Sequence, residues 1–312
     1  MSSKARWLYE MLRHRLGYPG RYCHRECLSV NEASVRLKEL ILSRKPFNAG
    51  RMGFFELAVM RNDEFGMRGK LESSMHSLYC CAGFFPEDTA LAGRFSEEMK
   101  SAYGRCDLYA CNREPAESYF IDRYTAKNIV AAEHMGLYDV FKLEEPWTSA
   151  LKGKRVLVVT SFPDSVREQY GKRELIYPGT EILPEFKELQ VYEPLNTIGD
   201  MRDERFTDWF EGLEHMKKEI REKEFDIALI AAGAYGFPLA ADIKKSGRQA
   251  VCMGGVMQIL FGIMGRRWDG SRFGGPEHMH EKLKRYYNDS WIYPLEERPA
   301  AADGVEYGPY WK

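Results

Sequence analysis

The clearest pattern in the chain lies in its second half, where short unbroken apolar runs alternate with stretches in which apolar residues recur every three or four positions. Residues 155–162 read RVLVVTSF, the continuous apolar run expected of a strand buried on both faces of a parallel sheet. The loop Ser161 to Ser165 follows, and a helix SVREQYGKREL leaves it. A strand near LQVYEPL comes next, and then a helix from about Thr207 to Lys223 with Trp209, Phe210, Leu213, Met216 and Ile220 on its inner side. FDIALIAAGAYG is a second buried strand that ends in glycines, followed by helix FPLAADIKKSG and strand RQAVCMGG. This alternation predicts an α/β fold, a Rossmann-like open, mostly parallel sheet flanked by helices. In such sheets the loops after the strand carboxyl ends share one edge, where ligands bind. That edge is expected to hold Ser161–Ser165, Gly233–Gly236 and Gly254–Gln258.

The first half is patterned less strongly. Ser29 with Glu32 three positions on reads as a capping box, followed by Ala33, Leu37, Leu40 and Ile41 on one helical face, with Pro46 ending the helix. Helices are expected from about Phe54 to Phe65 and after Pro86, where Leu91, Phe95 and Met99 are spaced by four. CDLYACN at 106–112 reads as a short strand, SYFIDRYTAKNIVAAEHM at 118–135 as a helix, and YDVFKL at 138–143 as a strand. The expected organisation is a helical extension over 1–28, an α/β catalytic domain over 29–290 with a boundary of lobes or half-domains near 146–153, and a tail over 291–312 that packs on the body.

Composition narrows the function classes. The chain has 312 residues, 44% hydrophobic and 29% charged, with a formal charge of -1. It is long enough for a substantial core, and its charge balance supplies no field for nucleic acid. No uncharged apolar run approaches the roughly 18 to 20 residues that span a bilayer. The start, MSSKARWLYEMLRHRLG, carries Glu10 and scattered charge where a secretion signal has an apolar segment, so a cytoplasmic address is expected. Lys4, Arg6, Trp7, Leu8, Met11, Leu12, Arg13 and Arg15 suit either a packed terminal helix or peripheral contact with an anionic membrane at the inner face. The seven cysteines form no disulfide framework and are expected reduced.

Several short segments could carry chemistry. Gly233-Ala234-Tyr235-Gly236 links a strand to a helix that Pro238 can start, so backbone amides there suit a phosphate; a tight turn without ligand is the alternative. The full dinucleotide fingerprint and P-loop spacing are both absent, which disfavours nicotinamide cofactors and ATP hydrolysis. Ser161 and Ser165 could hold phosphate or ribose, with Asp164 either a catalytic group or a helix cap. Arg51-Met52-Gly53-Phe54-Phe55-Glu56 combines a guanidinium fork, a close turn and an acid that opens a helix. GRRWDGSRFGG at 265–275 sets Arg266, Arg267 and Arg272 beside Trp268, as a loop closing over a charged ligand or as a solvated connector. Cys23-His24-Arg25-Glu26-Cys27 lacks the further ligands of a structural zinc site, and His278 and His280 read as surface residues. No nucleophile elbow supports covalent acyl chemistry.

Arg51 to Glu56, GKRVLVVTSFPDS and DIALIAAGAYGFPLAADIKKSGRQAVCMGG together resemble the GT-D class of bacterial glycosyltransferases (DUF1792-like, of surface-polysaccharide clusters), over about 30 to 290 and most strongly over 150 to 268. The family pattern near the amino terminus is Arg-x-Gly-Asp-Gly-Glu. Arg51, Gly53 and Glu56 match it, and Phe54 stands in place of the aspartate. The resemblance implies transfer of a sugar from a nucleotide-sugar donor to a surface-glycan or lipid-linked acceptor. For the catalytic base the candidates are Glu56 and Asp164, with Glu56 preferred because it falls in the matching motif, and Arg51, Gly53, Ser161, Ser165, Gly233, Ala234, Tyr235, Gly236, Gly254, Gly255, Gln258 and Arg267 are expected around the nucleotide sugar. A magnesium or manganese ion would rest on Glu56, with one carboxylate missing at Phe54. The alternatives are an inactive nucleotide-sugar-binding or scaffold protein and another nucleotide-sugar-modifying α/β enzyme. The expected partners are the nucleotide sugar and the glycan acceptor, and homo-oligomerisation is left open.

Overall fold

A computed structural model describes residues 3–16, 21–22, 25–125, 130–133, 145–270, 283–304, 308 and 310–312. The strands in chain order are β1 (Arg21–Tyr22), β2 (Arg25–Leu28), β3 (Phe47–Gly50), β4 (Leu108–Cys111), β5 (Val130–Glu133), β6 (Arg155–Thr160), β7 (Glu188–Tyr192), β8 (Ile227–Ala231) and β9 (Gln249–Cys252). They form one sheet in the order β1-β2-β5-β4-β3-β9-β8-β6-β7. All neighbours from β2 to β7 run parallel, and β1 pairs antiparallel with β2. The α/β, mostly parallel architecture expected from the apolar runs is therefore present.

The helices are α1 (Ser3–Leu16), α2 (Val30–Leu42), α3 (Phe54–Glu64), α4 (Arg68–Ala82), α5 (Ala92–Tyr103), α6 (Glu117–Tyr124), α7 (Pro163–Gly171), α8 (Arg173–Ile176), α9 (Trp209–Arg221), α10 (Gly236–Lys245) and α11 (Met257–Leu260). β6 and β8 are covered on both faces, which is why their sequences are almost wholly apolar. Leu157, Val159, Ala228 and Ile230 join one core with residues of α3, α4, α5, α9 and α10. Val156, Val158, Ile227 and Leu229 alternate into a second core with α2, α7, α8 and α11. The inner side expected of α9 is fully buried, from Trp209 and Phe210 to Met216 and Ile220. The capping box at Ser29 and Glu32 is formed, each side chain meeting the other residue's backbone amide.

Two expectations need correction. The helix drawn through 118–135 stops at Tyr124, and Val130–Glu133 is a strand paired between β2 and β4. The extension drawn over 1–28 gives up Arg25–Leu28, which pairs with β5 in the main sheet. The two readings of 146–153 are a boundary between lobes and a joint within one domain; the segments on either side of it share one sheet, because β3 and β9 pair over four residues, from Phe47 with Gln249 to Gly50 with Cys252. The strand expected at 138–143, the Cys23 and His24 pair, Arg272, His278 and His280 lie outside the described residues. Among the described residues no helix is long and apolar enough to cross a membrane. Helix α1 is packed through one face, with Trp7 5.6 Å from Phe65 and Arg13 2.7 Å from Asp122. It leaves Leu8 and Leu12 exposed on the other.

Candidate active site

Four neighbouring strands, β3, β9, β8 and β6, end on one edge of the sheet, and a cavity of about 220 Å³ opens across their carboxyl ends. It sits over the β3–β9 junction, where the two halves of the sheet meet. Open α/β sheets bind ligands at such a point, because the flanking loops diverge there and leave a crevice. Of the expected site residues, Arg51, Gly53, Glu56, Ser161, Gly233, Gly254, Gly255, Gln258 and Arg267 all line it.

The segment after β3 supplies Arg51 from its loop and Glu56 from the first turn of α3. The guanidinium of Arg51 donates to Asn112 Oδ1 at 3.3 Å and lies 5.2 Å over the ring of Phe54. Asn112 is in turn fixed by donating to the carbonyl of Met52 at 2.8 Å. Behind it stands Glu117, wholly buried at the start of α6. Its carboxylate accepts from the amides of Asn112, Arg113 and Glu114 at 3.1, 2.7 and 3.2 Å and from the Tyr109 hydroxyl at 2.7 Å. A buried carboxylate needs such a set of donors, and in gaining them it freezes the loop that carries the Arg51 acceptor.

Glu56 opens the first turn of α3 and is 6% exposed. Its carboxyl folds onto Gly53, where a Cβ would come within 2.0 Å of Oε2, so position 53 has to be glycine for this carboxyl to sit there. Burial pushes the Glu56 pKa above the ordinary carboxylate value, against the pull of its own backbone amide and of Arg51.

The loops after β8 and β9 bring glycines. Gly254 has φ +63, and a Cβ there would lie 3.9 Å from Arg51 Nη2, so the Gly254 bend sits beside the Arg51 guanidinium. Gly233 has φ +50, and a Cβ on it would be 2.6 Å from the carbonyl oxygen of Ala82 at the end of α4. Its glycine is thus demanded by the approach of a helix as well as by the backbone. Gly255 lies under the ring of Tyr310, whose nearest atom would be 2.6 Å from a Cβ.

Tyr310 and Trp311 close one wall, which the sequence did not assign to the site. Tyr310 accepts from Arg267 Nη1 at 3.0 Å and presents its ring 5.1 Å below that guanidinium. Gln258 Nε2 donates to the Tyr310 carbonyl at 2.7 Å, and Trp311 packs on Phe162 at 5.2 Å. Tyr310 and Trp311 both belong to the segment 291–312 expected to pack on the body, and where it packs depends on contacts with residues far away in sequence.

Five expected residues are elsewhere. Asp164 is exposed and pairs with Arg167 at 2.8 Å one turn along α7, so it is not placed to act in the cavity. Ser165 is buried and committed to the segment that follows β9. Its hydroxyl bonds to the Glu296 carboxylate, which also accepts from the amides of Asp164 and Ser165 at 2.8 and 2.9 Å. A side chain of the protein itself thus takes the anion seat at the start of α7. Ala234 and Tyr235 face the core, with Tyr235 stacked on Trp209 at 5.1 Å and its hydroxyl 3.2 Å from Thr197 Oγ1. Gly236 is packed against β9, where a Cβ would be 3.1 Å from Cys252 Sγ.

No protein-family model matches the chain, and no curated protein matches it. Two solved structures align over 98% of this chain and 95% of theirs. One is described as a highly conserved domain of unknown function 1792 with a distinct glycosyltransferase fold, at a TM-score of 0.47 and 11% identity. The other is a selenomethionine-substituted domain of unknown function 1792, at a TM-score of 0.46 and 12% identity. A likeness this distant specifies neither substrate nor reaction.

Proposed function

We propose that the cavity binds the diphosphate of a nucleotide sugar and that the protein transfers the sugar to an acceptor hydroxyl of a surface glycan or its lipid-linked precursor. The observation that supports this reading is the meeting of Arg51, Gly254 and Arg267 with the buried Glu56 in one cavity over the sheet junction. It agrees with the Arg51-x-Gly53-x-x-Glu56 spacing that resembles the GT-D pattern. In the transfer, the acceptor oxygen bonds to the anomeric carbon as its proton passes to the Glu56 carboxylate. The bond from that carbon to the diphosphate breaks, and its electron pair leaves with the diphosphate. Arg51 and Arg267 neutralise the departing charge. A carboxyl with a raised pKa is the stronger base for this step.

The test is incubation with a panel of nucleotide sugars and glycan acceptors, comparing the wild type with Glu56→Gln. The variant should lose about 10²- to 10⁴-fold in transfer rate, the usual contribution of a general base, with an unchanged circular dichroism spectrum. Unchanged turnover would remove Glu56 from the mechanism. Phe54 in place of the family aspartate favours a second reading, a nucleotide-sugar-binding protein without turnover. Tight binding with no transfer from any sugar would select it.

A further inference from the structure

Resting on the nucleotide-sugar reading, we infer that this site grips its diphosphate with two braced arginines, Arg51 and Arg267, and without a divalent cation. The donor set is what points there. Magnesium and manganese ask for several hard oxygen ligands, carboxylates foremost. Among the described residues that line the cavity there is a single carboxyl, Glu56, and it is turned back onto Gly53 at the start of α3. The other polar side chains of the wall, Thr160, Ser161, Asn196 and Gln258, are neutral, and Cys81 and Cys252 offer soft sulfur. Among the described residues no three acidic, histidine or cysteine side chains stand close enough to hold a metal ion. Glu56 alone does not fit the role of a metal seat.

Position 54 shows what replaced the missing acid. Phe54 opens α3 with its side chain 46% exposed, and the Arg51 guanidinium lies 5.2 Å over its ring. Where the GT-D pattern that this segment resembles has an aspartate, this chain presents an aromatic face that supports a cation. Arg267 is held in the same manner, by a hydrogen bond to the Tyr310 hydroxyl at 3.0 Å and by the Tyr310 ring at 5.1 Å. Each guanidinium thus meets an oxygen acceptor and an aromatic face. The diphosphate of a nucleotide sugar carries two negative charges, which two guanidiniums balance one for one. The planar fork matches paired phosphoryl oxygens where a lysine would offer only a point charge.

The experiment is calorimetric titration of the full chain with UDP, GDP, ADP and dTDP, first in EDTA and then in excess manganese or magnesium. At least one diphosphate should bind in EDTA, with a Kd that added metal changes less than about threefold. Arg51→Ala and Arg267→Ala should each weaken it about 10- to 100-fold, the range for a lost charge-assisted contact. Binding that appears only with metal would overturn the arginine clamp and leave the nucleotide reading standing. No diphosphate binding under either condition would overturn the nucleotide reading itself. Phe54→Asp supplies an independent arm, since the position is exposed and the new acid stands two residues before Glu56. Manganese binding, followed by electron paramagnetic resonance, should be at least tenfold tighter in Phe54→Asp than in the wild type. Equal affinity in the two proteins would overturn the inference, because position 54 would then not decide whether a metal is held.

Discussion

Replacing Gly233 by alanine puts two separate costs on one new atom. The backbone there has φ +50, which a side-chain-bearing residue adopts at a cost of about 1–2 kcal/mol. The new Cβ would also stand 2.6 Å from the Ala82 carbonyl oxygen, well inside van der Waals contact, and the obstacle is backbone. Overpacking of this kind costs about 1–3 kcal/mol more. Gly179 separates the two effects, because it has φ +72 and nothing within 4 Å of its Cβ position. Gly179→Ala should therefore carry only the first cost, and Gly233→Ala both. Unfolding entropy of about 2.1 cal/mol/K per residue makes each kcal/mol worth roughly 1.5 °C in a chain of 312 residues. The two variants should then differ by about 2–5 °C in thermal melting, with Gly233→Ala the lower. The same variant should weaken nucleoside diphosphate binding, since its turn lines the cavity. Equal melting temperatures would refute the claim that α4 presses on this turn, and would return Gly233 to a purely conformational role.

Two further outcomes follow from the residues around Arg51 and Glu56. Glu56 has its folded pKa raised above 4.5 by burial, so the native state holds this proton more tightly than the unfolded chain does. Its stabilising contribution is complete below pH 4.5 and is lost as pH rises through the raised value, and Glu56→Gln should flatten that decline in urea unfolding measured across pH. The transfer rate should rise over the same interval as the base loses its proton, and a profile that levels off at or below 4.5 would contradict the assignment. Asn112→Ala removes the acceptor 3.3 Å from Arg51, and with it about 1 kcal/mol of orientation. Calorimetry should show the nucleoside diphosphate Kd raised about fivefold, and an unchanged Kd would mean that Arg51 needs no support from this side.

The parts of the fold that could be read from the sequence are those in which one local pattern carries the whole physical constraint. β6 and β8 are apolar because both faces are covered, and the α9 stripe repeats because one face is. β3 offered no such signal: its four residues, FNAG, include a buried Asn48 and a glycine, and it is a strand because β4 and β9 pair with it on either side. Helix α4 was missed because the residues it buries include Ser74 beside Met75 and Leu78, which blurs its apolar face. Among site residues, Arg51 and Glu56 could be found from a short motif. Asn112 and Glu117 could not, since their importance lies in a hydrogen-bond chain that crosses from the β4 loop to the β3 loop. Asp164 and Ser165 misled for the opposite reason: their local pattern does suit an anion, and Glu296 already fills that place.

The β3–β9 seam shows why a clamp made of arginines requires so much bracing. A Cβ on Gly50 would lie 2.7 Å from Cys252 Cβ, so the two strands close to this distance only because position 50 is glycine. That closure brings the loop bearing Arg51 beside the bend at Gly254. Each wall is then fixed by a part of the chain remote from it: Arg51 by Asn112, the Gly233 turn by Ala82, Gly255 and Arg267 by Tyr310, and Phe162 by Trp311. A metal ion would gather phosphate oxygens around itself and tolerate loose walls. A guanidinium acts through the direction of its N–H groups, and its advantage is lost if the side chain must be ordered by the ligand. The ordering is therefore supplied by the folded chain, through contacts between segments remote in sequence. Under the proposed function, a diphosphate that entered later would meet donors already in position, which is the condition under which charge stabilisation lowers a barrier instead of merely tightening binding.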